Sequence, residues 1–195
     1  MTKRLFDIFF SFLGLSILTP LFLILAILIK IDSKGPVFYR QTRVGKDFKE
    51  FKIYKFRSMI YHPEGKGPQV TVGGDKRVTK VGKFLRRYKI DEFPQLINVL
   101  VGEMSFVGPR PEVRKYVDLF KDDYQKLLRI RPGITDLASV TYSREESLLA
   151  SSANWEDDYI QKVLPEKIKL SEQYVDSPGN VLADLRLIIK TIFKI

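Results

Sequence analysis

Hydrophobic positions crowd the start of the chain and are patterned after it. From Leu5 to Ile31 the sequence is almost wholly apolar: Phe6, Ile8, Phe9, Phe10, Phe12 and Leu13, then Leu21 to Ile29. About 20 such residues suffice to cross a bilayer, so residues 1–31 are expected to form a membrane segment. A signal peptide would have a shorter apolar core, and no small-residue cleavage pattern follows Ile29. Thr19-Pro20 falls in mid-run, where proline removes one helical hydrogen bond. Lys3 and Arg4 precede the run, and Lys30, Lys34, Arg40, Arg43 and Lys46 follow it. Basic residues beside a membrane segment stay in the cytoplasm. If both ends do so, the segment must enter and return as helix–break–helix, broken at Thr19-Pro20. The Thr19 hydroxyl can then satisfy a freed backbone group. A proline-kinked spanning helix fits the same pattern equally well.

Residues 32–195 read as one soluble-facing domain, large enough for a core of its own. Val37 to Tyr39 and Phe51 to Phe56, around Arg43-Val44-Gly45, predict a β-hairpin. Positions 62–75, rich in Gly and Pro, predict a loop. Val78, Val81, Phe84 and Leu85 give a helix over Arg77 to Tyr88. A short apolar helix is expected from Pro94 to Val101, and an amphipathic one from Val113 to Ile130. Trp155 to Val175 is helical with an interruption at Pro165. Asn180 to Ile195 places Leu182, Leu185, Ile188, Ile189, Ile192 and Phe193 between Arg186, Lys190 and Lys194. That helix suits an anionic membrane surface or a core-facing position. The fold class is therefore α+β, mostly helical, with one small hairpin.

Composition narrows the chemistry. The 195 residues carry a formal net charge of +10, which points to an anionic partner. With no cysteine, disulfides, thiolate nucleophiles and cysteine-bound metals are excluded. The single histidine, His62, lies in the polar loop; a solvated side chain is its ordinary role, and most triad chemistry is thereby removed. No clear nucleic-acid motif accompanies the positive charge, so nucleic acid is not expected as a partner.

Adjacent carboxylates Asp91 and Glu92 stand just before Pro94-Gln95-Leu96. Proline is tolerated in a first helical turn, which places both acids at a helix start. They can act there simply as capping groups. Free amides at a helix start also favour phosphate, and two carboxylates plus substrate phosphates suit Mg²⁺. Arg110, between Pro109 and Pro111, is constrained for bidentate phosphate binding. Lys55-Phe56-Arg57-Ser58-Met59 and Arg129-Ile130-Arg131-Pro132-Gly133 add further cations. Carboxylates, a hard cation and basic residues together suit phosphoryl transfer, in which a carboxylate can be the nucleophile.

At these residues the chain resembles the bacterial sugar transferases, the small monotopic polyprenol-phosphate phosphoglycosyl transferases. The resemblance rests on the apolar run with its proline and on Gly35-Pro36-Val37-Phe38-Tyr39-Arg40-Gln41. It continues through Arg43-Val44-Gly45, Lys55 to Met59, and Asp91-Glu92 to Pro109-Arg110-Pro111, then Arg131-Pro132-Gly133-Ile134-Thr135. It implies transfer of a phosphosugar from a nucleotide sugar, usually a UDP-sugar, to polyprenyl phosphate, through an aspartyl intermediate. It also implies a re-entrant, cytoplasm-facing membrane helix, with membrane lipids as partners. Asp91 is the implied nucleophile, and Glu92 its partner in supporting Mg²⁺. Arg43, Lys55, Arg86 and Arg110 match positions tied to activity or phosphate contact; Arg131 is a further cation. Asp184 matches an acidic position of the last helix, for which a structural ion pair is the alternative. Two departures stand out. Phe48 occupies a position where glycine is frequent, and Asp136-Leu137-Ala138-Ser139 replaces a Gly-aromatic-Ala-Gln run. The sugar, the pathway, the carrier length and the oligomeric state, a homodimer included, stay open.

Overall fold

The structure is a computed structural model that describes residues 2–61, 75–142, 154–176 and 181–193. Helix α1, Thr2–Asp32, takes up the whole apolar run. The break expected at Thr19-Pro20 does not interrupt it: the chain passes through Pro20 as helix. Proline costs one hydrogen bond and bends a helix without necessarily ending it. The Thr19 hydroxyl donates to Leu15 O at 2.7 Å, one turn back.

Both ends of α1 are fastened to the rest of the protein. At the first, Lys3 pairs with Asp184 and donates to Tyr174 Oη at 2.6 Å. Arg4 donates to Val99 O and Leu100 O at 2.6 and 2.8 Å, and buried Asp7 accepts from Ser105 Oγ and Phe106 N. At the other, Asp32 accepts the Val81 N–H at 2.9 Å. Arg57 donates to Ile29 O, Ser33 O, Ser33 Oγ, Lys34 O and Pro36 O, and is 3 % exposed. A guanidinium thus satisfies the free carbonyls at the end of the helix. Between these ends Leu5, Phe9, Phe12, Ile17, Leu23 and Ile27 stay exposed, a continuous apolar surface of a kind that soluble monomers rarely present.

The predicted hairpin forms from β1, Phe38–Val44, and β2, Glu50–Phe56, paired antiparallel with Phe38 opposite Phe56 and Val44 opposite Glu50. Alternation on β2 puts Phe51, Ile53 and Lys55 on one face. Phe56, on the other, packs with Leu25 and Ile29 of α1 and Leu85. Helix α2, Lys80–Arg87, is capped by Thr79 Oγ1, which accepts the Gly82 N–H. A 3₁₀ turn, Ile90–Glu92, then leads into α3, Gln95–Val101, which lies between α1 and β2. A second, parallel pair joins β3, Ser105–Val107, to β4, Gly133–Thr135. These strands have three residues each, too short to show a period of two in the sequence.

The helix expected over Val113 to Ile130 is two: α4, Arg114–Leu119, and α5, Lys121–Leu127, separated at Phe120. Phe120 leaves helical geometry and packs against the largest core cluster, with Val44, Tyr116, Val117, Tyr124 and Leu128. Burial on both sides of the bend overrides the local periodicity. Helices α6, Leu137–Thr141, α7, Trp155–Asp158, α8, Leu164–Asp176, and α9, Val181–Phe193, complete the chain. A π turn, Tyr159–Val163, joins α7 to α8. It absorbs Pro165 without the expected interruption, since a wider turn accommodates a missing donor. Helix α9 buries Asp184 and Leu187 and exposes Leu182, Leu185 and Ile189, so one face meets the core and another does not. His62, the loop at 62–74 and Lys194 lie outside the described residues.

Candidate active site

The chain leaves α2 through Lys89 in a left-handed conformation (φ 55) and turns directly into Ile90–Glu92. Phe93 and Pro94 continue with helical dihedrals, so Asp91 and Glu92 open the helical path of α3. Asp91 is 8 % exposed, and its Oδ1 is buried with no hydrogen-bond partner among the described residues. Glu92 is tied on two sides: Oε1 accepts Lys55 Nζ at 2.7 Å and Arg110 Nη2 at 2.5 Å. Arg110 Nη1 reaches Oε2 at 3.4 Å.

The two acids are driven apart electrostatically. Burial pushes Asp91 up, and Glu92 adds to this against Lys55 and Arg86. For Glu92, burial is outweighed by Arg110 and Lys55, which hold its carboxyl well below the usual range. Burial also lowers Lys55, against the pull of Glu92, whereas Glu92 raises Arg110. Neighbouring acids with opposed environments mark a division of roles. Glu92 is a fixed, compensated charge; Asp91 keeps an uncommitted oxygen.

Arg110 is held by the β3–β4 pair. Gly108 N–H donates to Thr135 O and Gly133 N–H to Pro109 O. A Cβ on Gly133 would stand 2.1 Å from Gly108 N, so only glycine permits this approach. Asp136, fully buried, caps α6 through Ser139 N–H and accepts Arg110 N–H at 3.2 Å and Ser171 Oγ at 3.0 Å. A second charge cluster adjoins. Glu112 accepts from Tyr159 Oη at 2.8 Å and Arg43 Nη1 at 3.2 Å, with Lys167 Nζ at 3.8 Å. A cleft between the clusters is lined by Arg110, Glu112, Tyr124, Asp136, Lys167 and Ser171.

Of the residues singled out from sequence, Lys55, Glu92 and Arg110 meet at Asp91, and the charge of Arg86 bears on it from the end of α2. Arg43 belongs to the adjoining cluster, joined to Arg110 through Glu112. Arg131 is not brought in: its Nε donates to Gly102 O at 2.7 Å, at the far end of α3. Asp184 is also elsewhere, in the ion pair with Lys3 and accepting from Tyr174 Oη. Sequence reasoning passes over Glu112 and Gln95, and notes Asp136 only as a departure from the family's pattern. For Gln95 the available signal is its spacing of four from Asp91, one helical turn.

Among the described residues no group of three or more His, Cys, Asp or Glu is placed to hold a metal ion. Mg²⁺ needs only one or two carboxylates when substrate phosphates and water complete its shell. The unpartnered Asp91 Oδ1, beside Glu92, fits that requirement.

The sequence matches the bacterial sugar transferase family model over residues 1–195. It is 47% identical over 143 residues, 72% of this chain and 34% of the relative, to a UDP-N-acetylgalactosamine-undecaprenyl-phosphate N-acetylgalactosaminephosphotransferase of Aeromonas hydrophila. It is 39% identical over 98% of its length to a UDP-glucose:undecaprenyl-phosphate glucose-1-phosphate transferase of Klebsiella pneumoniae, covering 39% of that protein. Exopolysaccharide production protein ExoY of Sinorhizobium fredii is 33% identical, with 98% of this chain and 84% of ExoY aligned. The chain thus spans between a third and two fifths of the first two relatives. With the family matched from end to end, the chain belongs to the bacterial sugar transferases.

Proposed function

We propose that the protein transfers a phosphosugar from a UDP-sugar to undecaprenyl phosphate, giving an undecaprenyl diphosphate sugar and UMP. The observation that carries this reading is the buried, unpartnered Asp91 Oδ1 beside the Lys55–Glu92–Arg110 cluster. An Asp91 carboxylate oxygen donates an electron pair to the phosphorus that bears the sugar. The bond from that phosphorus to the oxygen bridging it to UMP breaks, and its electron pair leaves with UMP. An oxygen of undecaprenyl phosphate then attacks the same phosphorus, and the Asp91 carboxylate is released. Glu92 fixes Lys55 and Arg110, whose positive charge stabilises the phosphates of the donor. Mg²⁺ would be held by the unpartnered Asp91 Oδ1 and by substrate phosphate oxygens, and would neutralise phosphate charge when bound, whereas the Glu92 carboxylate is already committed to Lys55 and Arg110.

The membrane reading has separate support. Lys3, Arg4 and Asp7 at one end of α1, and Asp32 at the other, grip the same body. Ends held on one body favour one side of a bilayer, with α1 dipping in and returning as a helix bent at Pro20 rather than broken there. Basic residues at both ends favour the cytoplasmic side of the inner membrane. Asp91 then works at headgroup level, where the carrier phosphate lies. Incubation of the purified protein with Mg²⁺, undecaprenyl phosphate and a panel of UDP-sugars should release UMP with at least one of them. Failure with every UDP-sugar would overturn the reading. Cysteines introduced at Thr2 and Lys194 should be labelled from the same face; labelling from opposite faces would overturn the topology.

A further inference from the structure

Three polar residues lie along one face of the helical path that opens at Ile90: Asp91, Gln95 and Asn98, at spacings of four and three. At about 100° per residue they fall within roughly 60° of arc. All three are buried, at 8 %, 1 % and 0 % exposure. The face looks onto β2, because Asn98 Oδ1 accepts Tyr54 N–H and Asn98 Nδ2 donates to Lys52 O. Lys55, on the same strand, bears on Asp91.

The two amides on this stripe differ. Asn98 is saturated, with a third bond to Glu103 Oε2 at 2.7 Å. Gln95 is more deeply buried than Asp91, yet its Nε2 has no partner among the described residues. An unpaired buried donor destabilises a fold, and methionine, close to glutamine in shape, would avoid it. The unpaired donor lies one turn from the unpaired acceptor Asp91 Oδ1. A group with oxygens seated at Asp91 would complete both.

We infer that Gln95 is a catalytic residue whose carboxamide N–H donates to a non-bridging oxygen of the phosphoryl group undergoing transfer at Asp91. This rests on the reading of the protein as a phosphosugar transferase. In the transfer, the bond from the Asp91 oxygen to phosphorus forms as the bond to the UMP oxygen breaks. A fixed donor on that face stabilises charge on the phosphoryl oxygens with no reorganisation. Gln95 moves no proton.

The test is Gln95→Met, with Gln95→Glu beside it, measured for UMP release and for thermal unfolding. For Gln95→Met, kcat should fall about 10²-fold, the scale for one lost oxyanion donor. The KM for the UDP-sugar should hold, and Tm should stay or rise. Gln95→Glu should fall further, since its carboxylate repels the phosphoryl group. Turnover of Gln95→Met within threefold of the parent protein would overturn the inference. So would a fall in Tm that accompanies the loss of activity, which would make Gln95 a packing residue. If the parent protein itself released no UMP, the transferase reading would fall first and carry this inference with it.

Discussion

The two ends of α3 are built from similar residues to opposite purposes. At its C-terminal end the polar groups find partners. Asn98 makes three hydrogen bonds, Arg4 meets Val99 O and Leu100 O, and Arg131 meets Gly102 O. At its N-terminal end Asp91 Oδ1 and Gln95 Nε2 have no partner among the described residues, although both are buried. Saturation rigidifies the end that joins α1 to the hairpin. Unpaired polar atoms remain at the end where a phosphate would supply partners. Native proteins rarely leave buried polar atoms unpaired, and such atoms mark places where stability has yielded to chemistry.

This contrast is open to direct attack. Asp91→Asn should abolish UMP release, by about 10³-fold or more, as expected for a missing nucleophile. Its Tm should not fall, because the lost charge is a buried one whose desolvation outweighs the pull of Lys55 and Arg86 and whose Oδ1 has no hydrogen-bond partner among the described residues. Retained turnover would reject Asp91 as nucleophile, and a large drop in Tm would reject the contrast.

Glu112 extends the comparison to a saturated acid. Its carboxyl is held below the usual range because Lys167, Arg43, the Tyr159 hydroxyl and Arg110 outweigh burial. Glu112→Gln should cost about 3 kcal/mol in denaturant unfolding at neutral pH, since it strands buried cations. A depressed folded-state pKa lends stability that is complete above the ordinary glutamate range. That stability is lost as pH falls through the folded value. The gap between the parent protein and Glu112→Gln should therefore close on acidification; a gap that persists would show that the ion pairs are not its source.

Asn98→Ala should cost about 2 kcal/mol, since it leaves Tyr54 N–H and Lys52 O unpaired, while turnover of the folded protein stays unchanged. Loss of turnover with stability intact would invert the assignment of the two ends. The smallest effect is expected at Phe48→Gly. Asp47 and Phe48 both hold left-handed backbone, at φ 55 and 59, and Phe48 packs on the main core. Relief of that conformation should offset the lost contact, leaving less than about 1 kcal/mol in chemical denaturation. A larger loss would make the phenyl ring a principal support of the hairpin turn.

Much of this was legible in the chain. The apolar run, the hairpin, and the helices on either side of Asp91-Glu92 follow from local rules of period, charge and proline placement. Other features were not, because they depend on contacts distant in sequence. Phe120 divides a helix whose periodicity is uninterrupted, since the core lies on both sides of the bend. The β3–β4 pair joins residues nearly thirty apart through strands too short to carry a pattern. Arg110 and Arg131 look alike as cations beside proline. Only the packing of β3 on β4 sends one to Glu92 and the other to Gly102.

Residue types and their spacing by themselves determined that the chain has a long apolar segment, a positive body and an acidic pair at a helix start. Tertiary structure alone decided which acid is compensated and which has an oxygen to spare. It also decided that both ends of α1 meet one body. The reason is that charge compensation and burial are set by neighbours. Lys55 and Arg110 reach Glu92 from 37 and 18 residues away, and local pattern is blind to both.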